Sequence, residues 1–196
     1  RFHSNITRLC RELRPHLMIG GEPLVEIDIV GSQTLFLAAL LAKNLSTISN
    51  NSSPLSSSPS SSSSSLPYDS VFTLNVMHGR VYEEFQIAHD LPSRDVAKDE
   101  FFHAVYGSPK NTKRFRQVWP QAGMTLAGLK REHGYKWVPQ EMQRREAGIV
   151  LRKAAETLRT TYPEIPMVTV HDSIMTTPEH VETVRRVMSE AFEGFP

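Results

Sequence analysis

Two short apolar runs, each carrying an acidic residue near its end, predict two strands of one sheet. The first run is Leu24–Ile29, in which the acid is Asp28, and the second is Val168–Ser173, in which Asp172 follows His171. β-Branched residues in the second run are typical of a buried strand. A carboxylate at a strand end is most often a turn or cap residue. Two such carboxylates in one sheet are what a two-metal phosphoryl-transfer site requires.

The rest of the hydrophobic pattern is mainly helical. Apolar residues at three- and four-residue spacing predict a basic helix over residues 1–18, then helices from Ser32, over Val81–Ala88, over Arg94–Tyr106, from Pro139 to Arg159 and over Val181–Phe192, with short helices in Lys110–Trp137. Strands and helices together predict an α+β fold, in which an antiparallel sheet that carries both acids is backed by helices, including the one after Gln33.

Residues 44–67 have a different composition from the remainder of the chain. Serine dominates them and is unbroken from Ser60 to Ser65. Such a segment buries too little apolar surface to offset its ordering entropy. We therefore expect a disordered insertion, to which the sequence assigns no function.

Composition limits the class and the compartment of the protein. The single cysteine, Cys10, excludes an internal disulfide framework and a cysteine-rich zinc site, and it is typical of a reducing compartment. No run of eighteen apolar residues exists, so we expect a cytoplasmic protein without a membrane span. The chain begins at Arg1 without an initiator methionine, and we expect it to be part of a longer polypeptide.

Charge is distributed unevenly along the chain. The formal net charge is +1, yet Pro109–Lys153 holds eleven basic residues and three acidic ones. A basic segment of this kind is typical of a protein that binds phosphates, although a solvated helix face is the simpler explanation. The face formed by Arg94, Lys98, Phe102 and Tyr106 is more specific. It combines two cations with two aromatic residues, which neither a core helix nor a solvated helix normally does.

The residues of this face resemble the second motif of family A DNA polymerases, the bacterial DNA polymerase I type. In that motif a lysine follows an arginine by four residues, a phenylalanine by eight and Tyr-Gly by twelve and thirteen, which are the positions of Lys98, Phe102, Tyr106 and Gly107 after Arg94. In its details the sequence resembles divergent members of the family from phages or mobile elements.

Three further stretches resemble the family in the same order along the chain. Asp28 is followed five residues later by Gln33, where the family has glutamate. Met142-Gln143 resembles a pair that opens a long helix. His171-Asp172 resembles the His-Asp-Glu motif, with Ser173 in the place of glutamate.

The resemblance implies a template-directed DNA polymerase fragment with a palm sheet and a reduced helical fingers subdomain above it. Residues 1–43 would form the start of the palm with the first catalytic strand and helix, and residues 139–196 the palm with the second catalytic strand. Residues 68–138 would form the fingers, separated from the start of the palm by the insertion at 44–67. A thumb and other domains would belong to the missing parts of the polypeptide.

The resemblance also implies roles for individual residues. Asp28 and Asp172 would hold two Mg²⁺ ions, with the Ile29 carbonyl as a further ligand. Arg94 and Lys98 would bind the triphosphate of a dNTP, and Lys98 would donate a proton to the leaving pyrophosphate.

Other matched residues would contact the sugar, the base or the DNA. Phe102 and Tyr106 would stack on the incoming nucleotide, and Gln33 would restrict a ribose 2′-hydroxyl. Contacts to the primer–template would come from Gly107, Gln143 and His171, and from Arg1, which resembles an arginine at the entry to the family's palm.

Three alternatives stay open at the level of sequence. A single-subunit RNA polymerase shares this palm. The two enzymes are distinguished by whether a ribose or a deoxyribose is admitted beside Gln33. A catalytically silent polymerase-like domain would bind DNA without extending it. A metal phosphohydrolase would need further histidine and aspartate ligands, and the remaining histidines show no ligand-like pairing.

Overall fold

The computed structural model describes residues 6, 8–50 and 70–193, except for the side chains of residues 11, 45–50 and 70. The fold is α+β, as predicted, and mainly helical with two small antiparallel sheets. The chain forms two compact units. Unit 1 comprises Arg1–Ser32 and Gln143–Phe195, and unit 2 comprises Gln33–Met142. These units divide the chain at residues 32 and 142, whereas the predicted segments end at residues 43 and 138.

Unit 2 is almost entirely helical, and unit 1 combines helices with both sheets. In chain order the helices are α1 (Ser32–Asn50), α2 (Ser70–Met77), α3 (Val81–Ala88), α4 (Arg94–Tyr106), α5 (Thr112–Val118), α6 (Pro120–His133), α7 (Trp137–Ile149), α8 (Glu156–Thr161) and α9 (Val181–Ala191). A π-helical segment, Val150–Ala155, joins α7 to α8, and 3₁₀ helices lie at Arg11–His16, Pro109–Asn111 and Pro178–His180.

Unit 1 contains both sheets. Strands β1 (Met18–Ile19) and β2 (Glu22–Pro23) form a hairpin whose two loop glycines have positive φ. The second sheet has the order β3-β5-β4, with β3 at Val25–Asp28, β4 at Met167–Val170 and β5 at Ser173–Thr176. All its pairings are antiparallel. The two predicted acid-bearing runs are therefore in one antiparallel sheet, as expected.

Helix α9 packs against β3 and β5, so the sheet is backed within its own unit. Leu24, Val170 and Met175 form a buried cluster with Leu17, Ile19 and Val168 around it. Successive side chains of a strand point to opposite faces of the sheet, so each strand can contribute residues to both faces.

Three predicted elements differ from the structure. The helix predicted over residues 1–18 is reduced to the 3₁₀ helix Arg11–His16, which contains Pro15 and is flanked by extended residues, while residues 1–5 and 7 lie outside the described part. Helix α1 continues to Asn50, so the predicted insertion is helical at its start; residues 51–67 lie outside the description. The helix predicted from Pro139 begins at Trp137 and changes to π geometry at Val150.

Unit 2 is organised around an aromatic core. Phe101 of α4 lies in contact with the rings of Phe85, Phe115 and Trp119 at centroid distances of 5.9, 5.7 and 6.2 Å. Phe85, Phe101 and Phe115 are fully buried. Packed aromatic rings at these separations fix α4 against α3 and α5.

A buried lysine joins α6 to the end of α4. Lys130 is 2% exposed, and its Nζ donates to the Ala104 carbonyl at 2.6 Å and lies 3.2 Å from Thr112 Oγ1. Burial lowers the pKa of Lys130 to about 8. The ammonium satisfies a carbonyl in the last turn of α4, which favours cations.

The lowered pKa of Lys130 predicts a pH-dependent stability. Between pH 10.5 and about 8 the unfolded chain takes up a proton at this lysine while the folded chain does not, so the free energy of unfolding falls as the pH falls. Below about pH 8 both states are protonated and the loss is constant, on the order of 3 kcal/mol.

Urea unfolding of wild type and Lys130→Met across this range measures the effect. The wild-type free energy of unfolding, taken relative to that of Lys130→Met, is expected to rise from pH 7.5 to pH 10.5. Lys113→Met, at an exposed position of α5, is the matched control, and its curve should run parallel to wild type. Parallel curves for Lys130→Met as well would contradict the lowered pKa.

Within the described residues, no helix has both the length and the apolar character needed to cross a bilayer.

Candidate functional site

Asp28 and Asp172 lie at the same end of the three-stranded sheet, where β3 ends and β5 begins. This end of the strands is called the sheet edge below. Asp28 ends β3 and is the register partner of Ser173, the first residue of β5. Asp172 directly precedes Ser173 in the chain. Neighbouring strands are about 4.8 Å apart, so the two acids start from adjacent backbone positions. Asp28 is exposed and Asp172 is partly buried.

Asp172 reaches this edge because β4 and β5 form a tight hairpin. The predicted single run is divided after Val170, and His171 and Asp172 are the two loop residues. His171 has a φ of 55°, which is uncommon for a residue other than glycine. Two-residue hairpin loops require positive φ in at least one loop position. The turn therefore presents Asp172 at the sheet edge.

Hydrogen bonds orient both carboxylates. Asp28 Oδ1 accepts from the Ile29 amide at 2.8 Å, and Asp172 Oδ2 accepts from the Ser32 hydroxyl at 2.9 Å. The Ile29 carbonyl accepts from the Ser32 amide at 3.3 Å. A carbonyl oxygen has two lone pairs, so this bond leaves capacity for a second partner.

Ser173, which stands where the resembled motif has glutamate, is engaged inside the sheet. Its side chain is buried, and its hydroxyl lies 2.6 Å from Glu26 Oε1 and 2.9 Å from the Val170 carbonyl. Glu26 and Asp28 share one face of β3 because they are two residues apart. Arg14 Nη1 lies 4.0 Å from Glu26 Oε1.

The paired aspartates fit the way in which Mg²⁺ is usually held. The described residues contain no group of three or more histidine, cysteine, aspartate or glutamate side chains able to hold a metal ion. Mg²⁺ does not require such a cage, because it is commonly bound through one or two carboxylates together with water and substrate phosphates. The oxygen atoms of Asp28, Asp172 and the Ile29 carbonyl are of the hard type that Mg²⁺ prefers.

In unit 2, the predicted residues of α4 share its outer face. The helix spans the predicted range, and Ser93 caps it by accepting from the Val96 amide at 3.3 Å. Arg94 and Lys98 are exposed, while Phe102 and Tyr106 are partly buried. The opposite face is buried and consists of Ala97, Phe101, Ala104 and Val105.

The two aromatic residues of the outer face form a stacked pair. Phe102 and Tyr106 have ring centroids 5.2 Å apart and an interplanar angle of 23°. The Tyr106 hydroxyl donates to Gln33 Oε1 at 2.8 Å. Gln33 thus makes a neutral hydrogen bond to Tyr106, where the glutamate of the resembled motif would make a charged one.

Arg94 makes an ion pair that its spacing in the sequence does not indicate. Its Nε donates to Glu83 Oε1 of α3 at 2.6 Å, and its guanidinium lies 5.0 Å from the Tyr82 ring centroid. Burial acts to raise the pKa of Glu83, but the hydrogen bond and positive charge of Arg94 outweigh it and lower that pKa. Burial raises the pKa of Tyr82, with Arg94 opposing it.

Gly107 has a local structural role at the end of α4. A Cβ there would lie 2.5 Å from Asn111 Nδ2 and 2.6 Å from the His103 carbonyl oxygen. The carbonyl belongs to the helix backbone and cannot easily shift. Close packing of the α4 terminus is therefore sufficient reason for glycine at this position.

The remaining predicted DNA contacts are placed only in part. Gln143 lies partly buried in α7, and His171 is in the β4–β5 loop. Arg1 lies outside the described residues. Three residues beside the predicted sites were not singled out from the sequence, namely Ser32, Glu83 and Glu146.

No family model, no curated protein and no solved structure matches the chain. Membership of the family A polymerases stays a prediction from the motifs.

Proposed function

We propose that the chain is the palm and fingers portion of a template-directed DNA polymerase that adds nucleotides to a primer 3′-hydroxyl. The observation that carries this proposal is the pairing of β3 with β5, which brings Asp28 and Asp172 to one sheet edge. The pair matches the minimal carboxylate set of a two-metal phosphoryl-transfer site.

Asp28 and Asp172 would hold two Mg²⁺ ions with help from the Ile29 carbonyl. When bound, the ions would lower the pKa of the primer hydroxyl and neutralise charge on the phosphates. The chain's own contribution is to fix its carboxylates beforehand. The bonds from the Ile29 amide and the Ser32 hydroxyl do this.

The outer face of α4 would bind the dNTP. Arg94 would grip the triphosphate through its planar fork, and Lys98 would add a mobile charge and donate a proton to the leaving pyrophosphate. Phe102 and Tyr106 would stack on the base and the sugar. The hydrogen bond from Tyr106 would hold the Gln33 side chain in the position where it restricts a ribose 2′-hydroxyl. Gln143, His171, Arg1 and Gly107 would contact the primer–template.

Primer extension tests the proposal. A labelled primer–template is incubated with the full chain, Mg²⁺ and either dNTPs or rNTPs, in parallel with Asp172→Ala. Extension with dNTPs that requires Asp172 is the expected result. Extension with rNTPs would replace the proposal with an RNA polymerase. Intact primer–template binding in a gel-shift assay without extension would indicate a silent polymerase-like domain and overturn the catalytic role.

The Arg94–Glu83 ion pair predicts the effect of freeing Arg94. If Arg94 binds the triphosphate, it must first exchange the Glu83 carboxylate for a phosphate. Ion pairs between half-exposed side chains stabilise by about 0.2–1 kcal/mol, so Glu83→Gln is expected to tighten dNTP binding by about 1.4- to fivefold.

Titration of a fluorescent dNTP analogue measures this change. Glu100→Gln is the matched control, because Glu100 accepts from Arg114 at 2.9 Å in an equally exposed pair that does not involve the outer face of α4. The control should bind as wild type does. Equal tightening in both variants would show a general charge effect and would remove the role given to Arg94.

A further inference from the structure

One hydroxyl group of unit 1 lies within hydrogen-bond distance of two carboxylates. Ser32 Oγ is 2.9 Å from Asp172 Oδ2 and 3.4 Å from Glu146 Oε1. Ser32 is 4% exposed and Glu146 is 7% exposed, so both groups are largely removed from water. Glu146 lies in α7 and is 114 residues from Ser32 in the chain. A buried serine and a buried glutamate thus adjoin one of the two proposed metal ligands.

A serine hydroxyl has one proton and donates to one carboxylate at a time. The shorter distance assigns this proton to Asp172. The bond restricts rotation of the Asp172 carboxylate, because a charge-assisted hydrogen bond is stronger than a neutral one. It also leaves a second carboxylate, that of Glu146, next to the same oxygen. An ionised carboxylate so placed would increase the attraction of this sheet edge for a cation.

Ser173 stands where the resembled His-Asp-Glu motif has glutamate, and it cannot supply that charge. It is neutral, and its hydroxyl is directed to Glu26 and to the Val170 carbonyl. Glu146 is therefore a different source of the acid that this chain lacks at position 173. It lies on α7 and is connected to Asp172 through the Ser32 hydroxyl.

We propose that Ser32 is a positioning residue that orients Asp172 for Mg²⁺, and that Glu146 supplies, beside Ser32, the negative charge that Ser173 does not. This proposal rests on the proposed function, since it assumes that Asp172 is a metal ligand. Residues that hold ligating carboxylates from outside typically alter metal affinity about 10- to 100-fold when they are removed.

Mn²⁺ binding measured by electron paramagnetic resonance tests the proposal on the full chain without DNA or nucleotide. Ser32→Ala and Glu146→Gln are expected to raise the Kd for Mn²⁺ about tenfold. Ser32→Thr keeps the hydroxyl and should bind nearly as wild type. Ser189→Ala and Glu164→Gln, both at exposed positions of unit 1, are the matched controls and should leave the Kd unchanged.

A second measurement separates positioning from a loss of fold. The Mg²⁺ concentration that half-saturates primer extension should rise in Ser32→Ala and Glu146→Gln, while the KM for dNTP stays constant. Thermal unfolding of each variant is recorded alongside. If Ser32→Ala unfolds at a lower temperature, the proposal is judged from Glu146→Gln and Ser32→Thr instead.

The outcomes distinguish this inference from the proposed function. Mn²⁺ binding by Asp172→Ala equal to that of wild type would overturn the proposed metal site and this inference with it. Binding that is lost in Asp172→Ala but unchanged in folded Ser32→Ala and Glu146→Gln would overturn only the positioning role. Weak binding by a folded Ser32→Thr would overturn the assignment to the hydroxyl.

Discussion

Replacing Asp28 by asparagine is expected to lower the rate of primer extension at saturating dNTP by at least about a thousandfold. A metal ion at a phosphoryl-transfer site contributes several kcal/mol of transition-state stabilisation, and each 1.36 kcal/mol is a factor of ten in rate. Asparagine retains an oxygen that can accept from the Ile29 amide, so the local bond at 2.8 Å is preserved. The substitution removes charge while leaving the shape of the sheet edge intact.

Single-turnover extension on a labelled primer–template measures this loss. Asp99→Asn, at an exposed position of α4, is the matched control and should extend primers as wild type does. Asp28 is also exposed, so the free energy of unfolding of Asp28→Asn should stay within about 0.5 kcal/mol of wild type. Unchanged extension by a folded Asp28→Asn would remove Asp28 from the proposed catalytic centre.

The parts of the fold that depend on local pattern were predictable from the sequence. Apolar and β-branched runs located β3 and β4, whereas the division of the second run into a hairpin at His171-Asp172 was not predicted. The four-residue repeat from Arg94 to Tyr106 gave both the bounds of α4 and its outer face. Periodicity suffices in these places because the buried side of each element is set by its own residues.

Contacts between distant segments were not predictable. The Ser32–Glu146 and Arg94–Glu83 pairs each join residues of different helices, and nothing in their spacing indicates that they meet. Side-chain partners of this kind are determined by tertiary packing. Of the charged residues involved, Glu83 and Glu146 have no feature in the sequence that separates them from solvated positions.

The extent of α1 shows where composition misleads. Asparagine and serine have modest helix propensity, and their abundance from residue 44 onward predicted a loop. The helix nevertheless continues to Asn50. Once a helix is nucleated and anchored by buried residues such as Leu40 and Leu41, each further residue adds a hydrogen bond at little cost. Asn44 also donates its side-chain amide to the Leu40 carbonyl at 2.7 Å.

The aromatic core of unit 2 predicts the largest loss of stability. Phe101 is fully buried, and its ring makes edge contacts with Tyr82 at 5.5 Å, Phe102 at 5.5 Å and Phe85 at 5.9 Å. Phe101→Ala removes these contacts and leaves a cavity under α4. The expected decrease in the free energy of unfolding is about 3–5 kcal/mol.

Chemical unfolding followed by tryptophan fluorescence is suited to this measurement, because Trp119 lies in the same cluster, 6.2 Å from Phe101. The melting temperature should fall by on the order of 10 °C. Ile87→Ala is the matched control, since Ile87 is 74% exposed and its loss should change the free energy by less than about 0.5 kcal/mol. A loss below about 1 kcal/mol for Phe101→Ala would mean that α4 is held by other contacts. Its outer face would then not depend on the aromatic core for its position.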